Sequence, residues 1–334
     1  MPSSPFIVAE VSANHLGSLD RALEIVDAAA AAGAHAVKVQ TWAQDCMVGN
    51  PKYVIPDGPW KGRTAASLYR EAWLPWSWHP VIFDRARSLG IEPFASVFDL
   101  AALEFLESID CPRYKIASFE IVDTPLIRAV AATGKPLVIS TGMATIGEIA
   151  NALSAARQGG CTDLTLLKCT STYPAPAADC NLATIPNLRQ IFGVSVGLSD
   201  HTEGWAVPLA AVALGATMIE KHLTMRRADG GPDAAFSLEP EEFAAMVRDC
   251  QTVAAAIGEA RYGPLPSEAP SLALRRSLWT VEAIPAGGQV HRGNVWSVRP
   301  AGGISPGLME HVCGRRAVQD IPAGVPLTLD MLVR

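Results

Sequence analysis

A chain of 334 residues, 49% hydrophobic and 18% charged, has the composition of a soluble globular protein with a large core, and it exceeds the usual length of one (β/α)8 barrel by roughly 60 to 80 residues. A net charge of −6 argues against nucleic acid as a partner, although a local cationic pocket can still attract a small anion. The longest apolar stretch, AVPLAAVALGATMI, is too short to span a bilayer, MPSSPFIVAE lacks the basic and apolar regions of a leader, and seven cysteines without a C-x-x-C pair read as reduced thiols. The expectation is a cytoplasmic protein with no membrane partner.

Eight apolar runs of strand length follow in order: FIVAEVS, AVKVQTW, PFASVF, YKIAS, LVISTG, LTLLKCT, SVGLSDH and TMIEKHLT. Helical stretches lie between them, among them SLDRALEIVDAAAAAG, TIGEIANALSAARQGG and WAVPLAAVALGA, and EPEEFAAMVRDCQTVAAAIG follows the last. Such alternation implies a parallel sheet with crossover helices, and eight repeats close it. The fold class is therefore α/β, a TIM barrel over residues 1–258.

The helical period stops in GEARYGPLPSEAP, which marks a linker over 259–270. Residues 271–334 form a second module in which AIPAGGQVHRGNVWSVRP is echoed by DIPAGVPLTLDML, starting at Ile284 and Ile321. Short alternating segments with Pro-Ala-Gly turns predict a small β-rich domain, too small to be very stable without something to pack on.

In a barrel of this kind the chemistry sits where the strands end. Residues two apart on a strand share a face, so Glu10, Lys38, Gln40, Ser96, Lys115, Ser140, Lys168, Glu220 and His222 are expected inside the barrel, with Val37, Val39, Ile116 and Ile139 toward the helices. His201 and His222 end consecutive strands, and two neutral imidazoles with open positions beside them suit a divalent metal such as manganese. A hydrogen-bonded structural histidine or a general base is the alternative. Lys38, Lys115, Ser96, Ser118 and Ser140 bring ammonium and hydroxyl donors together as a phosphate plus a carboxylate requires, and there is no Gly-rich phosphate loop. Structural ion pairs, or a Schiff base on Lys115 or Lys168, are the rival uses. Glu10, Glu120 and Asp233 are the candidate catalytic carboxylates, Asp233 lying in a Gly-rich loop able to close over a ligand.

Taken together, VAEVSANHLGS, VKVQTW, YKIASFEIVDTPLI, ISTGMAT, LLKCTSTYPAP, GLSDHTEG, IEKHLT and GPDAAFSLEP resemble the sialic acid synthase family over nearly the whole chain, most closely its pseudaminic acid branch. The terminal module resembles that family's antifreeze-like (SAF) domain. The resemblance implies a reaction joining phosphoenolpyruvate to an N-acetylated amino sugar, giving a nine-carbon 2-keto acid and inorganic phosphate. It implies that His201 and His222 hold the metal, Mn2+ with Mg2+ or Co2+ as alternatives, and that Lys38, Ser96, Lys115, Ser118 and Ser140 bind phosphoenolpyruvate. Glu10, Gln40, Tyr173 and Asp233 would line the sugar site, and Glu120 would manage protons or the incoming water. Arg299 matches an arginine that reaches the sugar in the partner subunit's barrel, which implies a homodimer with exchanged C-terminal domains.

Ser118-Phe119-Glu120, and Ser12-Ala13 before Asn14, are the features closest to the pseudaminic branch, with Phe119 as an aromatic ring beside a deoxygenated sugar. The acceptor expected is 2,4-diacetamido-2,4,6-trideoxy-altrose; the alternatives are N-acetylneuraminate or legionaminate synthesis, a lysine-dependent aldolase, or a non-catalytic sugar-binding protein. Leu16 and Val97 depart from the family pattern, which commonly has asparagine and proline there.

Overall fold

A computed structural model describes residues 4–43 and 47–333. The chain divides into two compact units, one up to Glu259 and one from Ala260 onward.

In the first unit eight parallel strands close into a barrel in sequential order. They are β1 (Phe6–Glu10), β2 (Ala36–Thr41), β3 (Glu92–Val97), β4 (Tyr114–Ile116), β5 (Leu137–Ser140), β6 (Leu164–Cys169), β7 (Ser195–Asp200) and β8 (Met218–His222), and β8 pairs back onto β1 with Glu10 opposite His222. The helices are α1 (Leu19–Ala31), α2 (Ala65–Ala72), α3 (His79–Ser88), α4 (Leu100–Ser108), α5 (Thr124–Ala131), α6 (Ile146–Gln158), α7 (Thr184–Phe192), α8 (Ala206–Ala213) and α9 (Pro240–Ile257). Each of the eight runs read from the sequence is one of these strands. The connection from β2 to β3 carries two helices rather than one.

The helices start on side-chain caps and bury one stripe. Ser18 caps α1 by accepting from the Arg21 N–H, Asp99 caps α4 through Ala102, and Thr145 and Glu148 form a reciprocal box at α6. In α1 the buried residues are Ala22, Ile25, Val26 and Ala29, the spacing of a single helical face. Such faces pack around the outward side chains of the strands, and Val37, Val39, Ile116 and Ile139 are all buried in one continuous core.

Inward and outward faces follow the expected parity on six of the seven strands for which inward residues were expected, and β6 is the exception. Cys169 points into the barrel, its Sγ 3.8 Å from His201 Nδ1, while Lys168 turns away and donates to the carbonyl of Cys169 and the hydroxyl of Thr170. The expectation for Lys168 was therefore shifted by one residue, which exchanges the two faces of a strand. The run LTLLKC is apolar on both faces, so its pattern could not reveal which one met the helices.

In the second unit, β9 (Ser277–Thr280) and β10 (Val295–Val298) pair antiparallel, with Trp279 opposite Trp296. Regular β-structure is sparse there, the remaining pairing being isolated bridges. One of these joins the two copies of the sequence echo: Ile284 and Ile321 exchange both backbone hydrogen bonds at 2.8 Å. Both isoleucines lie in a separate core with Leu278, Val290, Val295 and Leu327. Pro266–Leu274, ahead of this core, is a turn of 3-10 type without buried residues.

Gly197 on β7 is a point of close approach. A Cβ there would lie 2.3 Å from the Met218 carbonyl oxygen and 2.8 Å from Leu167 Cδ2, and the carbonyl belongs to β8 and cannot move aside. Gly197→Ala is expected to lower stability by about 1–3 kcal/mol through overpacking, read as a lower thermal-unfolding midpoint by circular dichroism. A midpoint equal to that of the wild type would show that the barrel interior has room at this layer.

Candidate active site

At the carboxyl ends of the strands the barrel interior is filled with charge. Lys38 Nζ on β2 lies 2.5 Å from Glu10 Oε2 on β1 and 3.8 Å from Glu220 Oε1 on β8, and it donates to Ser96 Oγ on β3 at 2.9 Å. Glu220 also accepts from Ser199 Oγ at 2.9 Å. All of these groups are buried. Burial alone would push the Lys38 ammonium down, but Glu10 and Glu220 outweigh it and hold it above its ordinary value. Burial raises the Glu220 carboxyl, yet Lys38 and Lys115 outweigh that and keep it below the usual range. Glu10 goes the other way, burial raising it against the pull of Lys38.

Lys115, on β4, is buried, has no carboxylate of the described residues within ion-pairing distance, and donates to the carbonyl of Ile116 at 3.1 Å. Burial pulls its ammonium below the ordinary value. Nearby, Ser140 Oγ is buried and has no partner among the described residues. Ser118 Oγ accepts from the Gly142 N–H at 3.1 Å, an approach open only to glycine, because a Cβ on Gly142 would lie 2.2 Å from Ser171 Oγ and 2.7 Å from Ser118 Oγ. An under-partnered ammonium, an unpartnered hydroxyl and Lys38 make a cationic recess suited to a small dianion.

Glu120 ends the short turn Ser118–Glu120 that follows β4. One of its oxygens is buried without a partner, and burial lifts the carboxyl to about 7. Phe119, between them, is 57% exposed. With Ser118 and Glu120 turned inward, the intervening Phe119 keeps its ring open to solvent.

The imidazoles of His201 and His222 stand 5.4 Å apart between ring centroids. His201 Nδ1 lies 3.0 Å from the Thr170 carbonyl, which can only accept, so this nitrogen carries the proton and the other offers a lone pair. His222 Nδ1 is buried without a hydrogen-bond partner, and burial holds that ring well below its ordinary value, hence neutral. Burial also lowers His201, but the Cys169 thiol beside it outweighs this and raises the ring, while the thiol is itself drawn down to about 7. No third His, Cys, Asp or Glu of the described residues joins the two imidazoles in a metal-holding cluster, so a divalent cation here would rest on these two nitrogens, with Asp233 Oδ2 3.9 Å from His222 Nδ1, and would replace the proton that Cys169 favours on His201.

Behind the imidazoles, on the outer face, Lys221 Nζ meets Asp200 Oδ2 at 2.5 Å in a fully buried pair. Asp200 and Lys221 sit opposite each other on β7 and β8, immediately before His201 and His222. Sequence analysis assigned neither a role. The alternation S-D-H and E-K-H carried the signal, because parity turns Asp200 and Lys221 to the side away from Glu220 and His222.

Loops complete the mouth. Asp233 Oδ2 accepts from Ser12 Oγ at 2.5 Å and lies 3.9 Å from His222 Nδ1; Gln40 donates to Ser12 Oγ and Glu10 Oε1. The Tyr173 ring packs on His201 and on Phe236, and Phe236 packs on His222. Of the expected site residues, only Arg299 lies in the second unit, exposed just after β10. Leu16 packs against the loop bearing Asp233, since a Cβ on Gly231 would lie 2.4 Å from Leu16 Cδ2, and Val97 is buried in the core.

The NeuB family model matches residues 25–262, and a SAF domain matches 275–333. The chain is 40% identical to the pseudaminic acid synthase of Helicobacter pylori, over 100% of this chain and 99% of that protein. It is 40% identical to the pseudaminic acid synthase of Campylobacter jejuni, over 96% of this chain and 94% of the other. Among solved structures it is similar to the N-acetylneuraminic acid synthetase of Leptospira borgpetersenii in complex with citrate, at a TM-score of 0.74 and 33% identity, covering 81% of this chain and 91% of that one.

Removing Lys38 would strand two buried carboxylates. Lys38→Met is expected to cost about 3–5 kcal/mol in urea unfolding, with part of it restored by adding Glu10→Gln; equal stability of Lys38→Met and wild type would refute the pairing. Glu120 gives a pH signature. Its folded value lies above the ordinary 4.5, so its contribution is intact below pH 4.5 and lost as pH rises toward about 7. The thermal midpoint of Glu120→Gln should therefore gain on wild type across that interval and run parallel to it above. A constant difference at all pH values would remove the raised carboxyl.

Proposed function

The chain belongs to the NeuB family, and we propose that it condenses phosphoenolpyruvate with 2,4-diacetamido-2,4,6-trideoxy-altrose to give pseudaminic acid and inorganic phosphate. The observation that carries this reading is full-length similarity to pseudaminic acid synthases, joined to a buried recess whose cations and hydroxyls suit a phosphorylated carboxylate.

In this reading Lys38 and Lys115 hold the negative charges of phosphoenolpyruvate, with the hydroxyls of Ser96, Ser118 and Ser140 donating to its oxygens. Gln40, Tyr173 and Asp233 orient the open-chain sugar so that its aldehyde carbon faces C3 of phosphoenolpyruvate. Bond formation from C3 to the aldehyde carbon breaks the carbonyl π bond, whose oxygen takes a proton from solvent to become a hydroxyl, and leaves positive character at C2, which the buried carboxylates of Glu10 and Glu220 stabilise. Water adds at C2, and Glu120, with a carboxyl near 7, takes its proton before the tetrahedral intermediate expels phosphate by C–O cleavage. His201 and His222 would hold a divalent cation, manganese in this proposal, which when bound supplies the charge that polarises the sugar carbonyl. Lys168, being turned out of the barrel, takes no part and forms no imine.

The proposal extends to a homodimer in which the terminal domain serves the partner's barrel. Arg299 supports it, being exposed and, among the described residues, held by no hydrogen bond or ion pair of its own chain. The reaction is assigned to the cytoplasm, where phosphoenolpyruvate is available. Cys111, Cys161, Cys169, Cys180, Cys250 and Cys313 are free, and Cys46 lies outside the described residues. No helix among the described residues is long and apolar enough to cross a membrane.

The test is phosphate release from phosphoenolpyruvate with manganese, comparing the altrose acceptor, the legionaminic precursor and N-acetylmannosamine, with and without EDTA. Release is expected with the altrose sugar, abolished by EDTA and by His222→Ala in a variant that stays folded. EDTA-resistant release would remove the metal role, and turnover of N-acetylmannosamine alone would move the acceptor assignment.

A further inference from the structure

The loop between β2 and α2 carries Trp60, which lies far in sequence from every residue of the site and was not singled out by any motif. Its indole Nε1–H donates to the Pro232 carbonyl at 3.0 Å, the residue just before Asp233. Its ring packs on Tyr173 with centroids 5.2 Å apart, and Tyr173 in turn lies 4.4 Å from His201. An aromatic column thus runs from the two imidazoles outward through Tyr173 to Trp60. Leu16 presses on Gly231 of the same loop, so Gly231-Pro232-Asp233 is held by an apolar contact and by the indole hydrogen bond.

We propose that Trp60 is a specificity-determining residue of the acceptor subsite. It provides an apolar wall against which a deoxygenated, N-acetylated sugar lays its methyl-bearing edge, and it holds Asp233 to the polar side of that sugar. This rests on the functional reading above and deepens it. Trp60 is half-buried, so part of its aromatic surface stays open after the contact with Tyr173. An indole meets C–H and methyl groups favourably and cannot satisfy an additional hydroxyl with its face. A sugar held by Asp233 and Gln40 and resting on the indole would therefore be discriminated by apolar contact, the kind that distinguishes ligands by roughly 10- to 200-fold. Leu16 adds an apolar contact to the same loop, at Gly231.

The experiment uses the full chain with manganese and measures two quantities for wild type, Trp60→Ala and Trp60→Phe: equilibrium sugar binding by titration calorimetry, and phosphate release. The probes are 2,4-diacetamido-2,4,6-trideoxy-altrose and N-acetylmannosamine. Trp60→Ala is expected to weaken binding of the deoxy sugar and raise its KM about tenfold, with the KM for phosphoenolpyruvate unchanged and the preference over N-acetylmannosamine reduced by a similar factor. Trp60→Phe keeps a ring but loses the N–H, and should retain most of the preference. Equal losses for both sugars, or a changed KM for phosphoenolpyruvate, would reduce Trp60 to a structural residue and overturn the proposal. Binding of the deoxy sugar without phosphate release in wild type would refute the reaction and leave the binding comparison to decide Trp60; absence of sugar binding would overturn both.

Discussion

The buried contact of Lys38 with Glu10, Glu220 and Ser96 is the constraint on which the barrel is organised. Charges taken out of water are tolerated only when partners meet them in good geometry, and the partners of Lys38 on β2 come from β1, β3 and β8. A slip of one residue in any of those strands would place an ion among the helices and an aliphatic side chain in its stead. The outward residues Val37 and Val39 make the complementary demand, being wholly apolar neighbours of Lys38 in the core. Register, closure and the cationic interior thus follow from one arrangement.

A second ionic contact works on the opposite face. Asp200 and Lys221 join β7 to β8 from outside, immediately before His201 and His222, so the separation of the two imidazoles is set by a rigid pair of strands rather than by loops. Loops then add what strands cannot reach. Asp233 is brought to the mouth by Ser12, 221 residues distant in sequence, and by contacts of Leu16 and Trp60 with its own neighbours. Rigid strands carry the buried charges, while loops supply the walls of the mouth.

The eight strands and most inward residues were legible because polar side chains interrupt apolar runs at period two, and a barrel leaves few places for a buried lysine. Strand β6 was not legible, since Leu164, Leu166 and Leu167 make it apolar on both faces and only the placement of Cys169 beside His201 fixes its parity. The exposure of Phe119 escaped for another reason: a 3-10 turn sends successive side chains in directions that strand alternation does not describe. Trp60 carried no signal, because its partners Pro232 and Tyr173 lie in other loops and no local pattern encodes a contact between loops. The echo of I-P-A-G was visible in the sequence; that its copies pair with each other through Ile284 and Ile321 was not.

Buried polar atoms left without a hydrogen bond among the described residues are spread around the mouth. Ser140 Oγ and one oxygen of Glu120 lie on β5 and the turn after β4, one oxygen of Glu10 on β1, and one oxygen of Glu220 and His222 Nδ1 on β8, while Lys115 on β4 donates only to the carbonyl of Ile116. Buried polar atoms without partners are destabilising, and a barrel shaped for stability alone would have apolar residues or a neutral pair at these positions. Of these groups, the Lys115 ammonium and the Ser140 hydroxyl are the donors that an incoming dianion would meet in the proposed reaction. Since such a ligand has no comparable site on the unfolded chain, its binding would add to the stability of the fold in proportion to its occupancy, offsetting what the unpaired donors cost the free protein.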